Sequence, residues 1–453
     1  MANAMNVAQT LRRSLRVGGL GRALFTLVVG TTISQAIVVG SAPILTRLYS
    51  PSNLGAFSVA IAILGVLMTV TCLSYDWAIP LPDAEVSGAN VLALALAINL
   101  GMTVLGSVVL WVAGQPILAL FGATVLGGYV LLITLDQFAG GMGLALTGWA
   151  LRTKAYREIA ATRVTQSVVQ VVLQVGLGIL GLGASGLLLG DVAGRYSGSA
   201  RLAWTTWRTH GPSFRQVTRA GVLLAATRYR RFPIFSTGSA LLNAIGSQAP
   251  LLLVAGLFGA TVGGQYALAE RVASLPVILI SGSVGQVFFA EASRSAREQP
   301  AMLGVLFRRV TLSLAKGGVA PALLVMITAP FLFPPVFGEA WLQAGIFAAV
   351  LAPMWFLCLV TSPTGGTLYI LERQDLHLVR EVLRIGLLIA AILTATAMHL
   401  PPVGVVVTIS VAGCVTYVLY GLISWRAVVA QRLHPRPIAT AIPDATSQGQ
   451  IPR

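Results

Sequence analysis

Apolar residues run through this chain in stretches that polar positions interrupt only briefly. Twelve runs, roughly 24–45, 54–75, 88–111, 124–149, 163–182, 184–203, 232–255, 264–289, 312–333, 342–362, 382–399 and 402–424, each lie near the length of about 20 residues that carries a helix across a bilayer. The fifth and sixth would merge into one run from Val164 to Leu189, but Gly181 to Gly186 marks a tight turn. The last two part at Leu400–Pro401–Pro402. The pattern predicts an all-α polytopic membrane protein of about twelve transmembrane helices.

Polar segments divide the runs. The first 23 residues are basic, with Arg12, Arg13, Arg16 and Arg22. The apolar run after them is longer than a signal-peptide core, and a second run follows almost at once, so it reads as a retained helix. A cationic segment at 204–231 separates six runs from six. A weak echo relates the halves: Ala42–Pro43 leads to Gly55–Ala56–Phe57, and Ala249–Pro250 leads to Gly264–Gln265–Tyr266, with a gap of two residues between them. The expected organisation is a basic segment at 1–23, a six-helix bundle at 24–203, a basic linker at 204–231, a second six-helix bundle at 232–425 and a polar tail at 426–453. Duplicated bundles are a common transporter plan.

Composition agrees with the pattern. Hydrophobic residues make up 56% and charged residues 10% of the 453, where a soluble domain carries about 25% charged residues. Mean hydropathy is +0.83. The net charge of +16 follows topology and needs no nucleic acid. Alternate gaps hold Arg152, Lys154, Arg157 and Arg163; the seven arginines from Arg201 to Arg231; Arg294 to Lys316; Arg373, Arg380 and Arg384; and Arg426 to Arg453. The opposite gaps hold almost nothing except Arg47. By the positive-inside rule both termini are cytoplasmic. Three cysteines and four histidines lie scattered, so neither a disulfide framework nor a metal set is expected, and no cofactor.

Enzyme signatures are missing: there is no GxSxG, HExxH or GxxxxGK[ST]. The glycines of 140–143 and 181–183 lie in apolar context and read as close-packing surfaces. Charge inside a span is costly and often functional, and few residues qualify. Glu270 and Arg271 adjoin in the eighth span, about 100° apart on a helix. They fit either a structural pairing with another helix or a cavity-lining anion site beside an ionisable partner. Asp136 lies midway in the fourth span. Asp191 and Arg195, four apart, share a face and read as a structural pair. Arg47 and Asp76 flank the second span; a lipid headgroup contact accounts for Arg47 equally well. Pro43, Pro250, Pro276, Pro321 and Pro353 fall within or near span ends, where they allow bends.

The order of several motifs carries a resemblance. ILTRLYSPSNLGAFSV (44–59) followed by SYDWAIPLPDAE (74–85), then the basic loop from Arg152 to Arg163, Phe232–Pro233, the stretch from Leu257 to Phe289, FGEAWLQAG (337–345) and LERQD (371–375) resemble the bacterial polysaccharide biosynthesis flippases. That family belongs to the multidrug/oligosaccharidyl-lipid/polysaccharide exporter superfamily. The match departs where Leu54 replaces an aromatic, Asp76 a glutamate and Trp77 a leucine. The resemblance implies two six-helix bundles around a central cavity in the bacterial inner membrane. It implies transfer of an undecaprenyl-diphosphate-linked glycan to the outer leaflet, for lipopolysaccharide, capsule or exopolysaccharide, with H+ or Na+ as coupling ion and polymerase and glycosyltransferase neighbours. On that footing Arg47 and Arg271 are expected at the anionic headgroup, and Glu270, Asp136 and Asp76 at ion coupling or charge balance. Two alternatives stay open. One is an ion-coupled exporter of small molecules. The other is a membrane glycan polymerase or ligase, which would want a larger outside loop than the longest one here, 112–123.

Overall fold

The computed structural model describes residues 18–120, 124–298, 300–371 and 373–433. The N-terminal arginines at 12, 13 and 16, the end of the predicted loop at 112–123 and the tail from 434 lie outside the described residues. The described chain is helical, in the order α1 (Gly18–Gly40), α2 (Ala42–Leu48), α3 (Pro51–Val70), α4 (Glu85–Leu120), α5 (Val130–Arg152), α6 (Tyr156–Ile179), α7 (Ala184–Phe214), α8 (Arg219–Arg228), α9 (Thr237–Glu298), α10 (Pro300–Phe337), α11 (Leu342–Thr361), α12 (Thr367–Ile370), α13 (Gln374–Ala397) and α14 (Pro402–Leu433). Among these residues eight helical runs are long and apolar enough to cross a membrane. Three further helices, α6, α7 and α13, have 24, 31 and 24 residues but are more polar. The long α9 is two helices parted at Gly259, so the count agrees roughly with twelve. Exposed apolar side chains such as Trp111 and Phe331 suit helices whose backbone is satisfied internally and whose surface meets hydrocarbon.

The helix boundaries follow local chemistry. Between α2 and α3 the chain extends at Tyr49 and Ser50, Pro51 opens α3, and the Ser50 hydroxyl accepts from the Asn53 N–H at 3.3 Å, an N-cap with proline at the first helical position. Gly181 (φ 74°) and Gly183 (φ 59°) turn the chain between α6 and α7, a backbone that glycine adopts without the Cβ clash. Gly259 breaks α9 with φ 84° and ψ 173°.

Two compact units result. The first takes the chain through Ala267 together with Phe333–Trp341; the second takes Leu268–Leu332 and Leu342–Arg453. In the first, α6 lies against α1 and α7, and α5 lies against α4 and α7. One apolar core gathers Trp149, Tyr75, Ile79 and Val91, and another gathers Val59, Leu110, Ile133 and Leu188. In the second, α14 packs on α11 and α13, with a core of Phe288, Phe307, Leu368 and Val428.

The echo has a physical counterpart inside the first unit. Tyr49–Ser50 and Phe258–Gly259 are both breaks, each followed by a new helix that reaches a glycine. Those glycines, Gly55 and Gly264, face one another. A Cβ on Gly55 would run into the Ala260 carbonyl and the Gly264 nitrogen; one on Gly264 would run into the Pro51 carbonyl and the Gly55 nitrogen. Pro51 and Ala260 each precede their glycine by four residues, so the contact is reciprocal.

Candidate functional site

The site grows from two polar stripes. On α6, Gln166, Gln170 and Gln174 recur every four residues; on α7, Gly190, Gly194 and Gly198 do the same. A fourfold spacing keeps each set on one helix face. The glycines leave no side chain between the helices: a Cβ at Gly194 would lie 2.9 Å from the Gln166 carbonyl, and one at Gly190 would lie 3.0 Å from that of Gln170. Small residues of this kind let membrane helices approach at backbone distance. The glutamines then reach across. Gln174 Nε2 donates to the Leu187 carbonyl at 3.0 Å, and Gln170 Nε2 donates to Asp191 Oδ1 at 2.6 Å.

Asp191 opens a cluster of three charges. Arg195, one turn along α7, approaches Asp191 Oδ2 at 3.0 Å and Asp136 Oδ1, on α5, at 2.8 Å, both through Nε. The bond to Asp191 is a hydrogen bond, whereas the approach to Asp136 is an ion pair by distance whose angle misses one. The Asp136 and Asp191 side chains are 1% and 6% exposed, and that of Arg195 is 24% exposed. Gly140 gives the guanidinium room: a Cβ there would fall 3.3 Å from Arg195 Nη1. Behind Asp136 the polar interior continues through buried Gln137, Thr71 and Asn99. Thr71 donates to Asn99 Oδ1 at 3.0 Å, and Asn99 donates to the Phe138 carbonyl at 3.0 Å. Two carboxylates against one guanidinium leave one negative charge over when both are ionised. Burial makes that surplus expensive.

The remaining expected residues lie apart from it. Arg47 ends α2, exposed, and donates to the Pro335 carbonyl at 3.0 Å. Beside it, Trp341 Nε1 donates to the Thr46 carbonyl at 2.9 Å. Asp76 sits in a turn at Tyr75–Ala78. Burial pushes its carboxyl above the ordinary aspartate value, opposed by its own N–H and that of Trp77. Glu270 and Arg271 are half-buried on α9 in the second unit. The structure therefore gathers Asp136, Asp191 and Arg195 and leaves Arg47, Asp76, Glu270 and Arg271 elsewhere. Gln170 completes the cluster without having been singled out, although its spacing from Gln166 and Gln174 was the signal. Among the described residues no group of three His, Cys, Asp or Glu is placed to hold a metal ion.

Residues 44–345 match the family model described as polysaccharide biosynthesis protein. The chain is 28% identical over 332 residues to the succinoglycan biosynthesis transport protein ExoT of Rhizobium meliloti (strain 1021), covering 67% of this chain and 62% of that one. It is 28% identical over 190 residues to the lipopolysaccharide biosynthesis protein WzxC of Escherichia coli (strain K12), covering 41% and 38%. The matches thus span less than two thirds of these relatives. Among solved structures, the lipid II flippase MurJ in an inward closed conformation superposes with TM-score 0.67 at 13% identity, covering 90% of this chain and 91% of that one. An inward-facing multidrug resistance MATE family transporter superposes with TM-score 0.64 at 15% identity, covering 90% and 96%. At such identities the likeness is one of fold.

Proposed function

The chain belongs to the polysaccharide biosynthesis protein family, and on that premise we propose that it flips a glycan carried on undecaprenyl diphosphate from the inner to the outer leaflet of the bacterial cytoplasmic membrane. The observation that carries this reading is the family match from 44 to 345, laid over a multi-pass helical chain with transporter-like relatives. A diphosphate headgroup cannot cross hydrocarbon alone because its charge would be stripped of water. A two-bundle protein lowers that barrier with a hydrated path, while the polyprenyl tail stays in lipid. Arg271 and Arg47 are the arginines assigned to the headgroup or its gate, since the guanidinium fork matches phosphate oxygens.

The cluster of Asp136, Asp191 and Arg195 supplies the coupling element. Its surplus negative charge takes up H+ or Na+ and releases it when the bundle rearranges, and Glu270 and Asp76 serve charge balance. Both termini face the cytoplasm, and polymerase and glycosyltransferases act next to it in the membrane.

The test is a deletion strain, in which surface polysaccharide and lipid-linked precursor are measured together. Loss of the surface glycan with precursor held at the inner leaflet is the expected result. Intact surface glycan with altered drug tolerance would overturn the proposal in favour of a small-molecule exporter. Loss of glycan with no precursor would move the block to assembly.

A further inference from the structure

The basic segment that follows the sixth predicted span has a surface that the transport reading leaves unused. From Trp204 to Arg231 it carries six arginines and no aspartate or glutamate, and all six arginines are exposed. Within it, α8 is seated by one face. Ala225 is buried, and Val222, Ala226 and Tyr229 pack with it on the core of Trp149, Tyr75 and Val91. The Tyr75 hydroxyl donates to the Ala226 carbonyl at 3.0 Å. The Thr218 N–H donates to Asn90 Oδ1 at 3.2 Å, and a Cβ on Gly221 would lie 2.6 Å from the Asn90 amide. At about 100° per residue, Gly221, Val222, Ala225 and Ala226 share the seated arc. Ala220, Leu223, Leu224 and Thr227 fall on the opposite arc, where Leu223 and Leu224 are 67% and 68% exposed. Arg219 and Arg228 stand at the two borders between the arcs.

The neighbour of α8 sets its depth. α8 lies against α4, whose apolar span Glu85–Gly114 has 30 residues. Such a helix is about 45 Å long at 1.5 Å per residue, the thickness of a bilayer with its headgroup regions, about 40–45 Å. Asn90 lies about 7.5 Å in from the end of that span, where headgroups give way to hydrocarbon. An apolar helix face at this depth, edged by cations, fits a helix lying in the plane of the interface. Arginine stems reach from such a face to the headgroups. Among the described residues no ion pair engages Arg219, Arg228, Arg230 or Arg231; the nearby pair is Arg201 with Glu158, at 3.6 Å. Trp204 and Trp207 are also exposed, with the Arg208 guanidinium 4.4 Å from the Trp204 ring centroid, and tryptophan is a residue of membrane interfaces.

We propose that α8 binds anionic phospholipid in the leaflet it borders, with Leu223 and Leu224 among the acyl chains and Arg219, Arg228, Arg230 and Arg231 at the headgroup phosphates. The occupant is a lipid surface and not a soluble protein, because the leucines lie at the acyl boundary and the arginines face no acid of their own segment. This binding does not depend on what the protein transports, so the flipping proposal stands whether or not it is found.

The experiment places a bimane fluorophore on Leu224→Cys in the full chain, with Cys72→Ala, Cys358→Ala and Cys414→Ala, reconstituted in phosphatidylcholine vesicles. Quenching is measured with acyl-brominated phosphatidylglycerol, with acyl-brominated phosphatidylcholine at the same mole fraction, and with aqueous iodide. Both brominated lipids should quench and iodide should not. Phosphatidylglycerol should be preferred by about fivefold for each arginine it engages, since each is worth about 1 kcal/mol near an anionic surface. Replacing Arg219, Arg228, Arg230 and Arg231 with glutamine should abolish the preference and leave quenching by phosphatidylcholine. Arg294→Gln, on an exposed surface pair with Glu291, should keep the preference and controls for general positive charge. Quenching by iodide and not by lipid would overturn the proposal and assign the face to a soluble partner. Equal quenching by the two lipids, or a preference unchanged in the fourfold variant, would also overturn it. Should that variant fail to fold, high salt decides: the preference must collapse as the charges are screened, and a salt-independent one would overturn the proposal.

Discussion

In the first unit two carboxylates, Asp136 and Asp191, share one guanidinium, Arg195; in the second, Arg384 pairs with Glu381, and Arg380, one turn earlier on the same helix, lies over the Tyr420 ring. The acidic cluster joins α5 and α7, the fourth and sixth predicted spans, whereas Arg380, Glu381 and Arg384 all lie on α13, the eleventh, against α14, the twelfth. The supporting chemistry differs. The acidic cluster is held by glutamines and by glycines that bring α6 and α7 to backbone contact. The second cluster is held by the ring and hydroxyl of Tyr420 and by the Gly365 carbonyl, just after the turn at Ser362–Thr364. An excess carboxylate can be satisfied by something as small as a proton, so its surroundings can be close-packed.

The largest effect should come from Arg195→Ala. It strands two buried carboxylates, and losing one partner of a buried ionic group costs about 3–5 kcal/mol. Thermal unfolding in detergent should drop accordingly, and Asp136→Asn/Asp191→Asn in the same chain should restore most of it. A variant as stable as wild type would mean that the charges are solvated and the comparison between the clusters fails.

Next in size is Gly194→Leu. Its Cβ would meet Gln170 Cβ at 2.8 Å and the Gln166 carbonyl at 2.9 Å, so overpacking should cost about 1–3 kcal/mol. Gly386 on α13 has nothing within 4 Å of its would-be Cβ. Gly386→Ala should therefore stabilise by about 0.5–1 kcal/mol through helix propensity alone. Melting temperatures moving in opposite directions would sharpen the contrast between a glycine-seated frame and an open one. Equal losses would erase it.

How much of this was legible in the sequence differs between the clusters. The helical class, the turn at Gly181–Gly186 and the pairing distance of Asp191 and Arg195 all follow from spacing of a few residues. Asp136 joins them from 55 residues away, and no local pattern links α5 to α7. Arg380 and Arg384 read from sequence as charges of a cytoplasmic gap, although Arg384 already falls within the eleventh run at 382–399. The helix begins at Gln374, and its polar first turns include Arg380, which is buried against Tyr420 of α14. Hydropathy cannot distinguish a charged loop from a charged helix end. The spacing of Arg380, Glu381 and Arg384 against Tyr417 and Tyr420 was the available clue. Gly55 and Gly264 were matched by sequence echo, but only backbone geometry reveals that they touch.

Asp136→Asn asks a narrower question. It leaves Asp191 and Arg195 as a neutral pair, and asparagine can still hydrogen-bond, so stability should shift by no more than about 1 kcal/mol, the scale of one net hydrogen bond. The surplus charge is gone, and with it the place that the proposed coupling gives to an ion. On the proposed function, flipping in proteoliposomes should lose its response to an imposed pH or sodium gradient. A variant that keeps the wild-type gradient response would remove the acidic cluster from coupling and leave it as a structural pair with a spare carboxylate.

The smallest effect tests whether buried negative charge in the first unit is costly outside the cluster as well. Burial raises the Asp76 carboxyl above its ordinary value, so the folded protein holds this proton more tightly than the unfolded chain. Below the ordinary aspartate value both states are protonated and the residue costs nothing. As pH rises through that value the unfolded chain ionises first, and stability falls until the folded carboxyl also ionises, after which the loss is constant. Asp76→Asn removes the loss, so its melting temperature should exceed that of wild type at pH 7.5 and converge on it at pH 3.5. The two N–H groups that favour the ionised form keep the difference well below that of Arg195→Ala. A difference independent of pH would assign the change to packing around Tyr75 and Trp77, and would confine the cost of negative charge in this unit to Asp136 and Asp191.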